Sequence, residues 1–128
     1  MAFTAEKVAW CQEAADYLSK ARATAADLEE WRNQEASGEA QLWRFSGDFT
    51  SYLLTRVEED SAGRLEMVLV AGAGENARAV IAWATDLARA HQIPSIRTHI
   101  TRPGLRRIYE NAGWHLSEWV MRISTDGQ

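Results

Sequence analysis

The chain is poor in the residues that mark several large protein classes. Cys11 is its only cysteine among 128 residues, which excludes an internal disulfide and a cysteine-based metal site. Its three histidines, His91, His99 and His115, fall on three separate predicted elements without ligand spacing, so no metal is expected. Basic residues are not in excess: 14 Lys and Arg stand against 18 Asp and Glu, a net charge of −4, and no recognition motif accompanies the arginines, so nucleic acid is not an expected partner. No apolar run approaches the roughly 18 residues that span a bilayer. Residues 1–20 have no basic stretch followed by an apolar one and a cleavage site. The expectation is an intracellular protein without a membrane partner.

What is present is an ordinary globular composition, 46% hydrophobic and 25% charged with a mean hydropathy of −0.36. A chain of this length makes one domain, residues 1–128, burying about two thirds of the surface its unfolded form exposes. Charge is uneven, with a balance of −7 over residues 1–75 and +3 over residues 76–128. Two solvated faces would account for this. Alternatively, Arg102, Arg106 and Arg107 collect an anion, either a cofactor phosphate or an acidic partner surface.

Hydrophobic periodicity divides the chain. Residues 4–22 read as a helix, with Thr4 as N-cap and Val8, Cys11, Ala15 and Leu18 on one face, where Cys11 would be a small buried hydrophobe. Thr24 and Asp27 fit a capping box opening a second helix that Ser37-Gly38 stops. Strands follow over residues 42–45, 49–58 and 64–70, the last ending in the apolar run Val68-Leu69-Val70 suited to the middle of a sheet. Val80, Ile81, Ala84, Leu87 and Ala88 form the stripe of a helix with Asn76 as N-cap. After Pro94, residues 95–100 predict a strand. Pro103 then opens a helix with Leu105, Ile108, Tyr109 and Ala112 inward and Gly113 at its end, and residues 115–123 predict a final strand. The fold class is α/β in the α+β sense: one mixed central sheet, parallel between residues 64–70 and 95–100, flanked by helices, with two helices at the N-terminus. Of six tryptophans, Trp31 and Trp83 are placed where a helix could present one to a partner.

Between the central strand and the main helix lies Val70-Ala71-Gly72-Ala73-Gly74-Glu75-Asn76-Ala77-Arg78. Glycines let a backbone approach a ligand, and the N–H groups of a helix start favour a pyrophosphate. The candidate phosphate set is Gly72, Gly74, Asn76 and Arg78, with Glu75 opposing an anion. A plain strand-to-helix turn would also explain the glycines.

Further on, in Arg102-Pro103-Gly104-Leu105-Arg106-Arg107-Ile108-Tyr109-Glu110-Asn111-Ala112-Gly113-Trp114, Tyr109 stands four residues before Gly113 and five before Trp114. This resembles the tyrosine, glycine and aromatic that end the last conserved helix of the GNAT acetyltransferase superfamily. With Gln41-Leu42-Trp43 upstream, the chain is most similar to the small GNAT-like proteins of tailed bacteriophages. The resemblance covers residues 41–123 and is strongest over 64–123. It implies a GNAT fold, acetyl-CoA as cofactor, and Tyr109 as the acid that protonates the departing CoA thiolate. A core tyrosine with its hydroxyl at a rim is the competing reading. Glu66, the one acid within the third strand, is the candidate general base by elimination.

The family's phosphate loop begins with Arg or Gln, where this chain has Leu69. Its last helix usually carries asparagine and alanine where this chain has Arg102 and Leu105. These departures predict weak acetyl-CoA binding and a non-catalytic GNAT-fold phage protein that binds another phage or host protein. It would reside in the bacterial host cytoplasm or be packaged in the particle. The alternatives are an active acetyl-CoA-dependent N-acetyltransferase, and an adaptor or inhibitor holding a host protein through the acidic N-terminal helices.

Overall fold

The computed structural model describes residues 2–21, 23–100, 103–117 and 121–123. The elements run β1 (Phe3–Val8), α1 (Gln12–Leu18), α2 (Ala25–Ala36), β2 (Gln41–Gly47), β3 (Ser51–Glu59), β4 (Leu65–Gly74), α3 (Ala77–Ala90), β5 (Ser95–Thr98) and α4 (Pro103–Asn111). The five strands form one mixed sheet in the order β1-β2-β3-β4-β5. The first three pairings are antiparallel, and β4 and β5 are parallel, as the α3 crossover between them requires.

Alternation along the strands sorts side chains to two cores. On one face Phe45, Leu53, Met67 and Leu69 meet Val80, Ala84 and Ala88 of α3, with Tyr109 and Trp114 packed at the margin. On the other, Leu42, Tyr52 and Leu54 meet Ala14 and Leu18 of α1, with Leu28 and Trp31 of α2 beside them. The sheet is thus covered on both sides. The α3 stripe explains its docking: its solvent side carries Arg78, Asp86 and Arg89, while Ala84 and Ala88 are too small to hold the helix off the sheet.

Several expectations are corrected. The predicted first helix is a strand over its opening half: Phe3 and Ala5 alternate with exposed Thr4 and Glu6, and Phe3 lies 5.2 Å from the Phe49 ring. Thr4 therefore caps nothing, and the helix begins at Gln12 with Cys11 at its N-cap, exposed rather than buried. A period-2 pattern was hidden because Val8 and Leu18 happen to fit a helical stripe as well. The capping box of α2 is present, with Thr24 Oγ1 accepting from the Asp27 N–H at 3.1 Å and Asp27 Oδ2 from the Thr24 N–H at 2.9 Å. Neither Trp31 nor Trp83 is exposed; the Trp83 ring packs 5.0 Å from Phe45 and 4.9 Å from Trp43. Of the expected last strand, residues 115–117 and 121–123 have no regular secondary structure, and Glu118, Trp119 and Val120 lie outside the described residues.

Candidate functional site

The apolar run Val68-Leu69-Val70-Ala71 cannot alternate strictly between two cores. A bulge resolves it: Thr55 pairs with Leu69 and Leu54 with Ala71, leaving Val70 as the extra residue. Leu69 keeps the alternation from Met67 and enters the α3-side core, while the bulge lets Val70 and Ala71 both face α1. β5 ends at the same height, because its last residue, Thr98, pairs with Leu69. β4 continues from Val70 to Gly74 with no strand on its β5 side among the described residues. The two parallel strands thus fork, and the backbone N–H and C=O groups along one edge of β4 are open to a ligand that can pair with them.

Tyr109 stands at this fork. The end of α4 is a Schellman motif: the Trp114 N–H donates to the Tyr109 carbonyl at 3.0 Å, the Gly113 N–H donates to that of Glu110 at 3.0 Å, and Gly113 adopts a φ of +94°. This cap folds Trp114 back so that its ring meets Tyr109 edge-on, centroids 4.8 Å apart. The Tyr-Gly-Trp spacing therefore has a local mechanical cause. Tyr109 is half-buried against the core that Leu69 enters, and at the end of β5 the Thr98 Oγ1 donates to the Leu69 carbonyl at 3.1 Å. Burial pushes the Tyr109 phenol above its ordinary pKa, against a smaller opposing influence of the Thr98 hydroxyl, so Tyr109 keeps its proton at neutral pH.

The expected glycine turn is strand as far as Gly74, and only Glu75 and Asn76 connect β4 to α3. Gly74 has its own structural reason. Its φ is +126°, and a Cβ there would stand 2.6 Å from Ser51 Cα, Ser51 Oγ and the Thr50 carbonyl oxygen. Asn76 takes a left-handed conformation and caps α3, its Oδ1 accepting from the Ala79 N–H at 3.3 Å. Glu75 turns onto the start of β3, where its carboxylate accepts the Thr50 N–H at 3.4 Å. Leu69, which stands where the family's loop begins with Arg or Gln, is 4% exposed and lies in the core. Arg78 is exposed in the first turn of α3, where an anion would meet the positive end of the helix.

The structure does not bring Glu66 to this place. Glu66 alternates with Met67 and so lies on the face opposite Tyr109. Its carboxylate accepts from Arg97 Nη1 at 2.8 Å and Ser95 Oγ at 2.8 Å. Arg97 also bridges to Glu58 at 2.9 Å, and Arg56 links Glu58 to Gln34 of α2, which ties the helix to the sheet. Arg106 and Arg107 are exposed on α4, with Arg106 Nε 3.2 Å from Glu110, and Arg102 lies outside the described residues. Among the described residues no group of His, Cys, Asp or Glu could hold a metal ion, and no helix is long and apolar enough to cross a membrane.

Three features escaped the sequence. Thr98 gives no local signal, since its role arises from pairing with Leu69. The bulge left a trace in the broken alternation of residues 68–71. Tyr52 is buried beneath α1, with its hydroxyl 3.0 Å from Glu13 Oε1, 3.2 Å from Arg44 Nε and 3.8 Å from Cys11 Sγ. Burial first, then the Cys11 and Glu13 contacts, push its pKa up.

Comparison with solved structures identifies the fold. The ribosomal-protein-alanine N-acetyltransferase of Brucella melitensis biovar Abortus 2308 superposes with a TM-score of 0.69 at 17% identity, covering 96% of this chain and 100% of that one. A GCN5-related N-acetyltransferase from Ralstonia eutropha JMP134 gives 0.66 at 13%, covering 96% and 99%. A predicted acetyltransferase with acetyl-CoA from Clostridium acetobutylicum gives 0.65 at 10%, covering 99% of each chain. No family model and no curated protein matches the sequence. At these identities the likeness shows a GNAT fold, the mixed sheet flanked by helices expected from the sequence.

Proposed function

We infer that the chain is an acetyl-CoA-dependent N-acetyltransferase whose thioester lies in the fork between β4 and β5. The observation that carries this reading is the conjunction at one rung: the Val70 bulge and the end of β5 at Thr98 coincide there, and Tyr109 packs against the core that Leu69 enters at the same height. The open β4 edge suits the amide groups of a pantetheine arm, and the start of α3 with Arg78 suits its diphosphate. In the transfer, a neutral acceptor amine attacks the thioester carbonyl, the C–S bond breaks, Tyr109 gives its proton to the departing sulfur, and the amine nitrogen loses a proton to water, from which the phenolate is reprotonated. A phenol held in its protonated form is fitted to that step. The similar solved structures, N-acetyltransferases and one acetyltransferase with acetyl-CoA, are consistent with it. Calorimetric titration with acetyl-CoA tests the reading: micromolar binding is expected, and no heat at millimolar ligand would sink it.

A second reading, a GNAT-fold phage component that binds another protein without catalysis, draws on two observations. Gly74 is explained by its close approach to β3 without any ligand. A surface concavity of about 550 Å³ lies along α2 among Glu29, Glu30 and Glu39, far in sequence from Tyr109. A salt-sensitive complex with a basic protein, formed equally well by Tyr109→Phe, would favour it.

A further inference from the structure

We propose, resting on the transferase reading, that Trp114 is the positioning residue for the proton transfer. It clamps Tyr109 through both backbone and ring, so that the phenol keeps one orientation while the thioester breaks.

Tyr109 needs such a clamp because of where it stands. It lies in the last turn of α4, where carbonyls have no partner further along the helix and the helix end frays. A proton donor, however, has to stay within hydrogen-bond reach of the atom it protonates. The Ala112 and Trp114 N–H groups both donate to the Tyr109 carbonyl at 3.0 Å, which closes the turn. Gly113 reverses the chain at φ +94°, and a Cβ there would meet nothing within 4 Å, so this glycine answers the backbone conformation alone. The reversal sets the Trp114 ring 4.8 Å from the Tyr109 ring with the planes 64° apart, an edge-to-face pair. Both rings are partly buried against the core that Leu69 enters, so the pair is seated against the sheet. Turning Tyr109 about χ1 would break the ring contact, and the contact therefore favours one rotamer.

The bonds made and broken are those of the transfer itself. An N–C bond forms as the C–S bond breaks, the Tyr109 proton passes to sulfur, the acceptor nitrogen gives a proton to water, and water returns one to the phenolate. Trp114 acts on none of these atoms. Its effect is on the share of molecules whose phenol is in place when the sulfur leaves.

The test uses the full chain, with a peptide carrying a free N-terminal amine and one lysine as the acceptor and release of the CoA thiol as the signal, at a temperature where every variant is folded. Trp114→Leu keeps apolar bulk at the core margin and removes the ring. It should lower kcat by about threefold to tenfold, the rate equivalent of one aromatic pair, with KM for acetyl-CoA unchanged. Trp114→Phe should restore most of the rate. The deciding protein combines Tyr109→Phe with Trp114→Leu: because Trp114 acts through Tyr109, the double variant should be no slower than Tyr109→Phe alone. A role in packing only would slow both backgrounds by the same factor, and that result overturns the proposal. So does a Trp114→Leu protein matching the wild type while Tyr109→Phe is slow; the transferase reading stands in either case. No thiol release by the wild type, or a Tyr109→Phe protein as fast as the wild type, would overturn both.

Discussion

Gly74 separates a glycine kept for a ligand from one required by the backbone. At φ +126° an L-residue is strained, and an added Cβ would meet Ser51 Cα, Ser51 Oγ and the Thr50 oxygen at 2.6 Å, two of them backbone atoms that cannot rotate aside. The conformational strain costs about 1–3 kcal/mol. Forcing β3 and β4 apart adds about 1–3 kcal/mol. Gly74→Ala should therefore cost about 2–6 kcal/mol, against a total of about 5–15 for a domain. At about 4 °C per kcal/mol for a chain of this size, the melting midpoint should fall by roughly 8–24 °C. Gly72→Ala is the internal control. Its φ is not positive, and its Cβ would stand 3.3 Å from Leu53 Cδ1, the movable end of a side chain. It should change stability by less than about 1.5 kcal/mol. Thermal and urea melts of the two variants decide the matter. A Gly74→Ala protein as stable as the wild type would refute the packing argument, and Gly74 would then be a residue reserved for a ligand.

Arg78→Ala should weaken acetyl-CoA binding by about 1.5–3 kcal/mol, the worth of a hydrogen bond to a charged group; an unchanged calorimetric affinity would remove Arg78 from the site. Tyr109→Phe should stay folded and lower turnover by about 10²–10⁴-fold, whereas a core tyrosine would leave turnover intact and change stability by about 1 kcal/mol. Burial works to raise the Glu58 carboxyl, but Arg56 and Arg97 outweigh it and hold it below the usual range. Its contribution is therefore present above the unfolded value, about 4.3, and is lost as pH falls through the lower folded value. The stability gap between wild type and Glu58→Gln in urea melts should be widest near neutral pH and narrow in acid; a gap constant with pH would count against the ion pairs.

What the sequence determined by itself was local. Thr24 and Asp27 specify a helix start because both halves of the capping box lie within one turn, and the α3 stripe is legible because Val80, Ile81, Ala84 and Ala88 recur at helical spacing. The Tyr109-Gly113-Trp114 spacing is legible for the same reason, since a Schellman cap is closed by residues five apart. Tertiary structure decided whatever depended on a partner distant in the chain. Residues 3–8 are a strand because β2 offers them an edge, against a helical pattern that Val8 and Leu18 equally satisfy. Gly74 is a glycine because β3 crosses close to it, and Leu69 faces the core because the sheet puts it on the α3 side with Met67. Thr98 reaches the Leu69 carbonyl only because a parallel pairing ends at that rung, a termination set by where two strands 29 residues apart cease to bond. Short-range hydrogen bonds and periodicity are written in neighbouring residues; the fork is written in the register between strands, which no local pattern encodes.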